Sequence, residues 1–142
     1  MSILITGSST GLGLDLGKLF LANDNSVVFH SRKDIDFLSK NDINGKTAYQ
    51  ICCELSNYEN TKKKLSDLFN TKYKPKTIIC NAGRSSFKKK SEINLDSWNI
   101  AFNDNFYSAL NVINACREIR NHSKQKDKSF LNIICISSIC GH

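Results

Sequence analysis

The chain opens with an apolar run that ends in a glycine-rich turn, Ser2-Ile3-Leu4-Ile5-Thr6-Gly7-Ser8-Ser9-Thr10-Gly11-Leu12-Gly13. Few folds accept that arrangement. Gly7 permits a tight turn out of a strand over residues 2–6, while Gly11 and Gly13 let the backbone approach a diphosphate and let the next helix pack on a sheet. Unpaired N–H groups and the positive end of that helix point back at the turn, so Ser8, Ser9, Thr10 and Leu12 complete a main-chain anion cradle. A glycine triplet alone is a weak signal, and the plain alternative is a turn without a ligand. The buried-strand pattern before it and the amphipathic stretch after it favour phosphate.

Beyond the turn, apolar strand patterns alternate with helical ones. Residues 12–23 carry Leu12, Leu16, Leu19 and Phe20 at helical spacing, with Gly17 inside, which is tolerable if the helix packs closely on a sheet. Strands are expected at Val27–His30, Ala48–Cys53, Thr77–Cys80 and Leu131–Ser137. Between the first two of these lies a short helix or loop from Lys33 to Asn41. Helices are expected over Tyr58–Phe69, stopping before Lys74-Pro75, and over Leu95–Arg120, followed by a polar loop from Asn121 to Lys128. This alternation predicts a Rossmann-type, doubly wound α/β fold: about five parallel strands in the order 3-2-1-4-5, with helices on both faces. One domain over residues 1–142 is expected, and part of a larger one, because the chain is short for a complete dinucleotide enzyme.

Composition narrows the class. No apolar run approaches membrane-spanning length, and the phosphate turn starts so close to Met1 that no signal peptide is expected. Cys52, Cys53, Cys80 and Cys135 fall in strands expected to be buried. No Cys-x-x-Cys pair or Cys/His cluster occurs, so small core thiols in a reducing, cytoplasmic compartment are expected, with no metal. Twenty Lys and Arg against 13 Asp and Glu give a net charge of +7. The runs Lys62-Lys63-Lys64 and Lys88-Lys89-Lys90 invite a nucleic-acid reading, but they lack interleaved aromatics, and none is expected.

Three motifs taken together, Thr6-Gly-x-x-x-Gly-x-Gly13, Asn81-Ala82-Gly83 and Ile136-Ser137-Ser138-x-x-Gly141, resemble the short-chain dehydrogenase/reductase family. Each stands at an expected strand end, and they follow the family's order. The likeness runs the length of the chain but corresponds to the family's N-terminal, cofactor-binding half. The glycine spacing resembles the oxidoreductase branch more than the sugar-nucleotide branch, which argues against an epimerase.

The resemblance implies a nicotinamide dinucleotide, and the tip of the second strand bears on which one. An acidic residue there would pair with an adenosine ribose and repel a 2′-phosphate. Ser31 occupies the place where NAD-preferring relatives carry Asp, and Arg32 follows it, so NADP is expected over NAD. An ordinary basic surface turn is the alternative. Glu54-Leu55 lies where relatives have an acidic residue and an apolar adenine contact, although Glu54 could be a solvated loop glutamate. Asn81, Ala82 and Gly83 end the fourth strand, where small residues let the backbone approach a cofactor.

Two residues match catalytic positions of the family. Asn105, seven positions after Trp98 and three after Phe102, falls on the apolar face of the long helix. It is either a satisfied core asparagine or the family's helix asparagine, which anchors a water in a proton relay. Ser138 matches the serine that would hydrogen-bond a substrate carbonyl at a strand's C-terminal end. The alternative there is Ser137, which points to the opposite face. The family's Tyr-x-x-x-Lys pair, which exchanges the proton and holds the nicotinamide ribose, has no counterpart here, because Tyr49, Tyr58, Tyr73 and Tyr107 all precede the serine. The intact enzyme implied by the resemblance transfers a hydride between NADP and a small carbonyl or alcohol, for example as a 3-oxoacyl carrier-protein reductase does. Such an enzyme would be a homo-oligomer, and the 142 residues alone are expected to be inactive. The competing reading is a catalytically inactive NADP-binding or interaction module. Trp98, Phe102, Phe106 and Ile113 form a stripe suited either to subunit pairing or to the core.

Overall fold

Residues 1–34, 48–85, 94–122 and 130–137 are described in a computed structural model of the chain. Most of the expected Lys33–Asn41 connection, Lys88-Lys89-Lys90, most of the Asn121–Lys128 loop, Cys140, Ser138 and Gly141 lie outside them. The elements are β1 (Ser2–Ile5), α1 (Gly11–Ala22), β2 (Ser26–Ser31), β3 (Ala48–Cys52), α2 (Tyr58–Phe69), β4 (Thr77–Cys80), α3 (Leu95–Phe102), a π-helical turn (Asn103–Tyr107), α4 (Ser108–His122) and β5 (Asn132–Cys135). No described helix is long and apolar enough to cross a membrane.

The five strands form one parallel sheet in the order β3-β2-β1-β4-β5. This is the Rossmann-type, doubly wound order, and it follows from the strands' composition. Ile3, Leu4 and Ile5 of β1 pair in register with Val27, Val28 and Phe29 of β2 and with Thr77, Ile78 and Ile79 of β4. Neighbouring residues on a strand face opposite ways, so each strand feeds two cores. Leu4, Val28 and Ile78 pack with Leu65, Leu68 and Phe69 of α2 and Val112, Ala115 and Cys116 of α4. Ile3, Ile5, Val27, Phe29 and Ile79 pack under α1 on the other face.

The face that α1 buries differs from the one expected. Leu12 and Leu19 are exposed, and the buried positions are Gly13, Gly17 and Leu21, with Leu14, Leu16 and Phe20 half-buried beside them. Close approach explains the difference. A Cβ on Gly17 would overlap the ring of Phe29, coming within 2.6 Å of its Cζ, so the helix lies on the sheet along a line of missing side chains. The glycine that costs helix propensity is the one that admits the contact.

The expected Leu95–Arg120 helix runs from Leu95 to His122 with a π-helical turn inside it. Between α3 and α4 the hydrogen bonding lengthens by one residue, and the Ser108 N–H reaches the Asn103 carbonyl. Trp98, Phe102, Phe106 and Tyr107 are exposed and pack on one another, with successive ring centroids 6.0, 6.5 and 5.4 Å apart. Asn105 is exposed among them, not in the core. No described element lies over this stripe; the face of α4 that meets the sheet starts at Ser108.

Among the described strands, β3 and β5 are the sheet's two edges, with Ile133 and Ile134 of β5 partly exposed. Cys135 is therefore exposed and Cys52 only half-buried, whereas Cys53, Cys80 and Cys116 are core thiols. Burial pushes Cys53 up to about 11 and Cys80 and Cys116 up to about 12, so all three stay neutral near pH 7.

Helix propensity alone predicts that Gly17→Ala stabilises the protein by about 1 kcal/mol. The contact with Phe29 predicts the reverse, a loss of about 1–3 kcal/mol by overpacking. Urea denaturation of the two proteins decides between them, and a raised midpoint in the alanine variant would refute the packing.

Candidate functional site

The carboxyl ends of β1, β2, β3 and β4 gather around one cleft, on the side of the sheet where the strand order reverses direction at β1. Its volume is about 260 Å³. It is lined by Gly7, Ser9 and Thr10 from the first turn, His30, Ser31 and Arg32 from the tip of β2, Glu54 and Leu55 after β3, and Ala82, Gly83 and Arg84 after β4, with Asp104 and Ser108 from the π turn and α4. Nine of the residues proposed from sequence thus meet at one surface, although four separate segments carry them.

The turn is built by hydrogen bonds among its own strands. Thr6 Oγ1 accepts from the main-chain N–H groups of both Asn81 and Ala82, each at 2.9 Å. The Asn81 side-chain amide donates to the carbonyls of Thr6 and Gly7, each at 3.1 Å. Gly7 has φ +62°, and a Cβ there would stand 2.7 Å from Ala82 Cα, so only glycine allows the two turns to meet. Gly13 sits behind them against Asn81 and Gly7. Asn81 and Gly13 therefore shape the site without lining it. Ser8 is fully buried, accepts from the His30 N–H at 2.8 Å and donates to the Ile5 carbonyl at 2.8 Å. It braces the turn, and Leu12 points outward.

Helix α1 begins in this cleft without the side-chain capping that α2 and α3 have. Thr10 at its start makes no side-chain cap, and its first turn holds no acidic residue. By contrast, Asn57 caps α2 with Glu59 in the first turn, and Asn94 forms a capping box on α3 with Asp96 following. Gly11 adds φ +55° with open space where a Cβ would stand. First-turn amides that no side chain satisfies, facing a cleft, suit a phosphate or diphosphate.

Around the rim, Arg32 is exposed beside the turn. The Ser31 hydroxyl donates to the Lys33 carbonyl, which occupies its only proton and leaves Arg32 as the donor at this tip. Glu54 accepts from the Ser56 hydroxyl at 3.3 Å, closing a local turn, and Leu55 is buried behind it. Asn111 on α4 secures that loop by donating to the carbonyls of Leu55 and Ser56 at 2.8 and 3.1 Å.

Asn105 does not line the cleft, yet it holds one of its walls. Its Oδ1 accepts from the Arg84 N–H, and its Nδ2 donates to the Arg84 and Ala101 carbonyls, all at 2.9 Å. Arg84 also pairs through Nε with Asp104. His30, Arg84, Asp104, Ser108 and the bracing Thr6 and Asn111 were not singled out from sequence. His30 carried a signal, a ring nitrogen at the end of an otherwise apolar strand. Arg84 followed Asn-Ala-Gly directly.

The sequence pattern of the short chain dehydrogenases matches residues 1–142. The chain is 32% identical, over 117 residues, to the 3-ketodihydrosphingosine reductase TSC10 of Debaryomyces hansenii; that stretch is 77% of this chain and 36% of the reductase. Its fold is similar to that of serine dehydrogenase from Escherichia coli, with a TM-score of 0.81 at 18% identity over 99% of this chain and 63% of the other. It is also similar to gluconate 5-dehydrogenase from Burkholderia cenocepacia J2315 in complex with NADP and tartrate, with a TM-score of 0.73 at 19% identity over 82% of this chain and 47% of that one. The chain therefore spans about a third of the curated relative's length and roughly half to two thirds of these solved enzymes. A cleft of this build at the switch point of this sheet, and a family pattern matched from the first residue to the last, lead to one assignment: the chain belongs to the short chain dehydrogenase family, a family of oxidoreductases.

Proposed function

We propose that the chain is the cofactor-binding part of an NADP-dependent oxidoreductase that interconverts a ketone and an alcohol. The uncapped start of α1, beside two capped helices, is the observation that carries this reading. NADPH would supply the hydride to the ketone, and NADP⁺ would accept it from the alcohol. The Gly7, Ser9 and Thr10 turn that lines the cleft, with the uncapped start of α1 behind it, would hold the diphosphate. Arg32 meets the 2′-phosphate with a guanidinium, a donor set that a plain ribose does not need. Leu55 offers apolar contact to the adenine, and Ala82 and Gly83 let the cofactor lie close to the main chain.

At the reacting end, Asn105 keeps the Gly83–Arg84 backbone in place, and its own amide is fully engaged in doing so. Asn105 would therefore serve a proton relay through its main chain, because its side-chain amide is committed to Arg84 and Ala101. Ser138 would hydrogen-bond the substrate oxygen and stabilise charge as it develops. The likeness to the yeast 3-ketodihydrosphingosine reductase supports a ketone as the substrate. A 3-oxoacyl thioester and a long-chain 3-keto amine are the two substrates to offer first.

In the full-length protein, NADPH is expected to bind at least tenfold more tightly than NADH. Arg32→Ala removes that preference and leaves NADH affinity unchanged. Calorimetric titration of both dinucleotides checks this, and equal affinities in the unaltered protein would defeat the 2′-phosphate assignment. Ser138→Ala is expected to lower kcat by about 10²–10³ while cofactor Kd stays constant, the usual effect of deleting one donor to a developing oxyanion. Steady-state turnover within threefold of the unaltered enzyme would remove Ser138 from the chemistry.

A further inference from the structure

After Ser26, strand β2 is apolar until His30, which is 2% exposed. A ring with two polar atoms does not sit in such a place without partners, and both are present. Nδ1 accepts from the main-chain N–H of Gly7 at 3.1 Å. Nε2 lies 3.0 Å from the carbonyl oxygen of Cys53. A carbonyl only accepts, so Nε2 carries the proton and Nδ1 keeps its lone pair for Gly7. The backbone of the same residue holds Ser8: the Ser8 N–H donates to the His30 carbonyl at 2.9 Å, and the His30 N–H donates to Ser8 Oγ. One residue thus joins the first two residues of the phosphate turn to the ends of β2 and β3.

We propose that neutral His30 is the positioning residue of the phosphate turn, and that its protonation releases the Gly7 N–H and weakens dinucleotide binding in acid. The proposal rests on the dinucleotide reading above and adds a condition to it. An imidazolium carries an N–H on both nitrogens, so protonation sets two donors against each other at the 3.1 Å contact with Gly7. Gly7 would then lose the partner that holds its amide at positive φ, and the turn would lose its shape where the diphosphate sits.

The surroundings keep the ring neutral through the physiological range. Burial lowers the His30 pKa below 6.5; the Cys53 carbonyl and the Glu54 carboxylate oppose that, and the Arg32 guanidinium adds to it. The Cys53 thiol, pushed to about 11, is uncharged, and neither the Gly7–Thr10 turn nor Asn81 has a titratable side chain. Because the folded pKa is depressed, the unfolded chain binds more protons below pH 6.5 than the folded one. The contribution of the lock is therefore complete above that pH and is lost as the pH falls through the folded value.

The test uses NADP⁺, which survives acid, and calorimetric titration of the full chain between pH 7.5 and 5.5. His30→Asn is the companion variant, because its Oδ1 offers Gly7 an acceptor that does not titrate. Affinity of the unaltered protein is expected to fall more steeply across this range than that of the Asn variant, by up to about tenfold, the ceiling set by a folded pKa that lies below 6.5. The variant keeps only the shallow loss due to the 2′-phosphate, whose own second pKa is about 6. At pH 7.5 the two bind within about threefold of each other. Parallel pH profiles, or binding that tightens in acid, would overturn the proposal. Nitrogen-15 NMR of the unliganded protein reports independently of any ligand and of how the variant folds. An unprotonated Nδ1 at neutral pH, and a Gly7 amide signal that follows the His30 titration, uphold the lock; a protonated Nδ1 or an indifferent Gly7 amide sinks it. Absence of NADP⁺ binding at every pH would instead remove the cofactor reading, with the lock still judged by the Gly7 signal.

Discussion

Thr6 and Gly7 meet Asn81 and Ala82 through four hydrogen bonds, and the rest of the site depends on that meeting. Two parallel strands buried on both faces must end side by side. Their last polar groups would be costly to leave unpaired so near the core. A threonine hydroxyl and an asparagine amide satisfy them reciprocally, and the approach this requires leaves no room for a side chain on Gly7. The positive φ at Gly7 then turns the chain into α1, and the start of α1 faces the cleft. The shape of the glycine turn is a consequence of how the strand ends are paired.

The cleft is divided by function along its length. At one end it is made of main chain, with an uncapped helix start and a glycine turn, which favours anion binding without regard to side-chain identity. At the β2 tip Arg32 presents an exposed guanidinium to the cleft. At the other end Asn105, Asp104 and Arg84 form a small hydrogen-bonded frame around the Gly83–Arg84 backbone, and the π turn brings Asp104 and Asn105 to it. A regular helix over the same residues would carry everything after the turn around the axis by about a residue's rotation, roughly 100°. The irregular turn therefore lets an exposed, aromatic stretch and a sheet-packed α4 belong to one continuous helix.

The strand pattern was legible in advance because parallel strands buried on both faces read as unbroken apolar runs, and Tyr58–Phe69 because its cap and its spacing agree. That Gly7, Ser9, Thr10, Ala82 and Gly83 meet at the cleft was legible through glycine spacing and through the small residues after β4. Other readings failed for local physical reasons. Leu12 and Leu19 have the spacing of a buried face, but α1 approaches the sheet along Gly13 and Gly17 instead. Among the described residues, Asn105 lies beside aromatics that are exposed, and Cys135 lies on an edge strand. Ser8 and Asn81 belong to the motifs yet serve as braces, and the Ser31 hydroxyl turns to its own loop. No residue spacing reveals which of two donors a hydroxyl or amide will choose.

What the amino-acid order determined by itself is the class of fold and the place of the anion turn, since both rest on local facts: which runs are apolar, where glycine permits a positive φ, and where a helix can start. The tertiary structure decided which of those residues face the cleft. It set Arg84, Asp104 and His30 beside residues far from them in the chain, and it gave His30 two partners, the Gly7 amide and the Cys53 carbonyl, each 23 positions away. Those assignments depend on the register and end-to-end alignment of neighbouring strands. That alignment comes from long-range packing of the whole sheet, to which no single stretch of sequence holds the key.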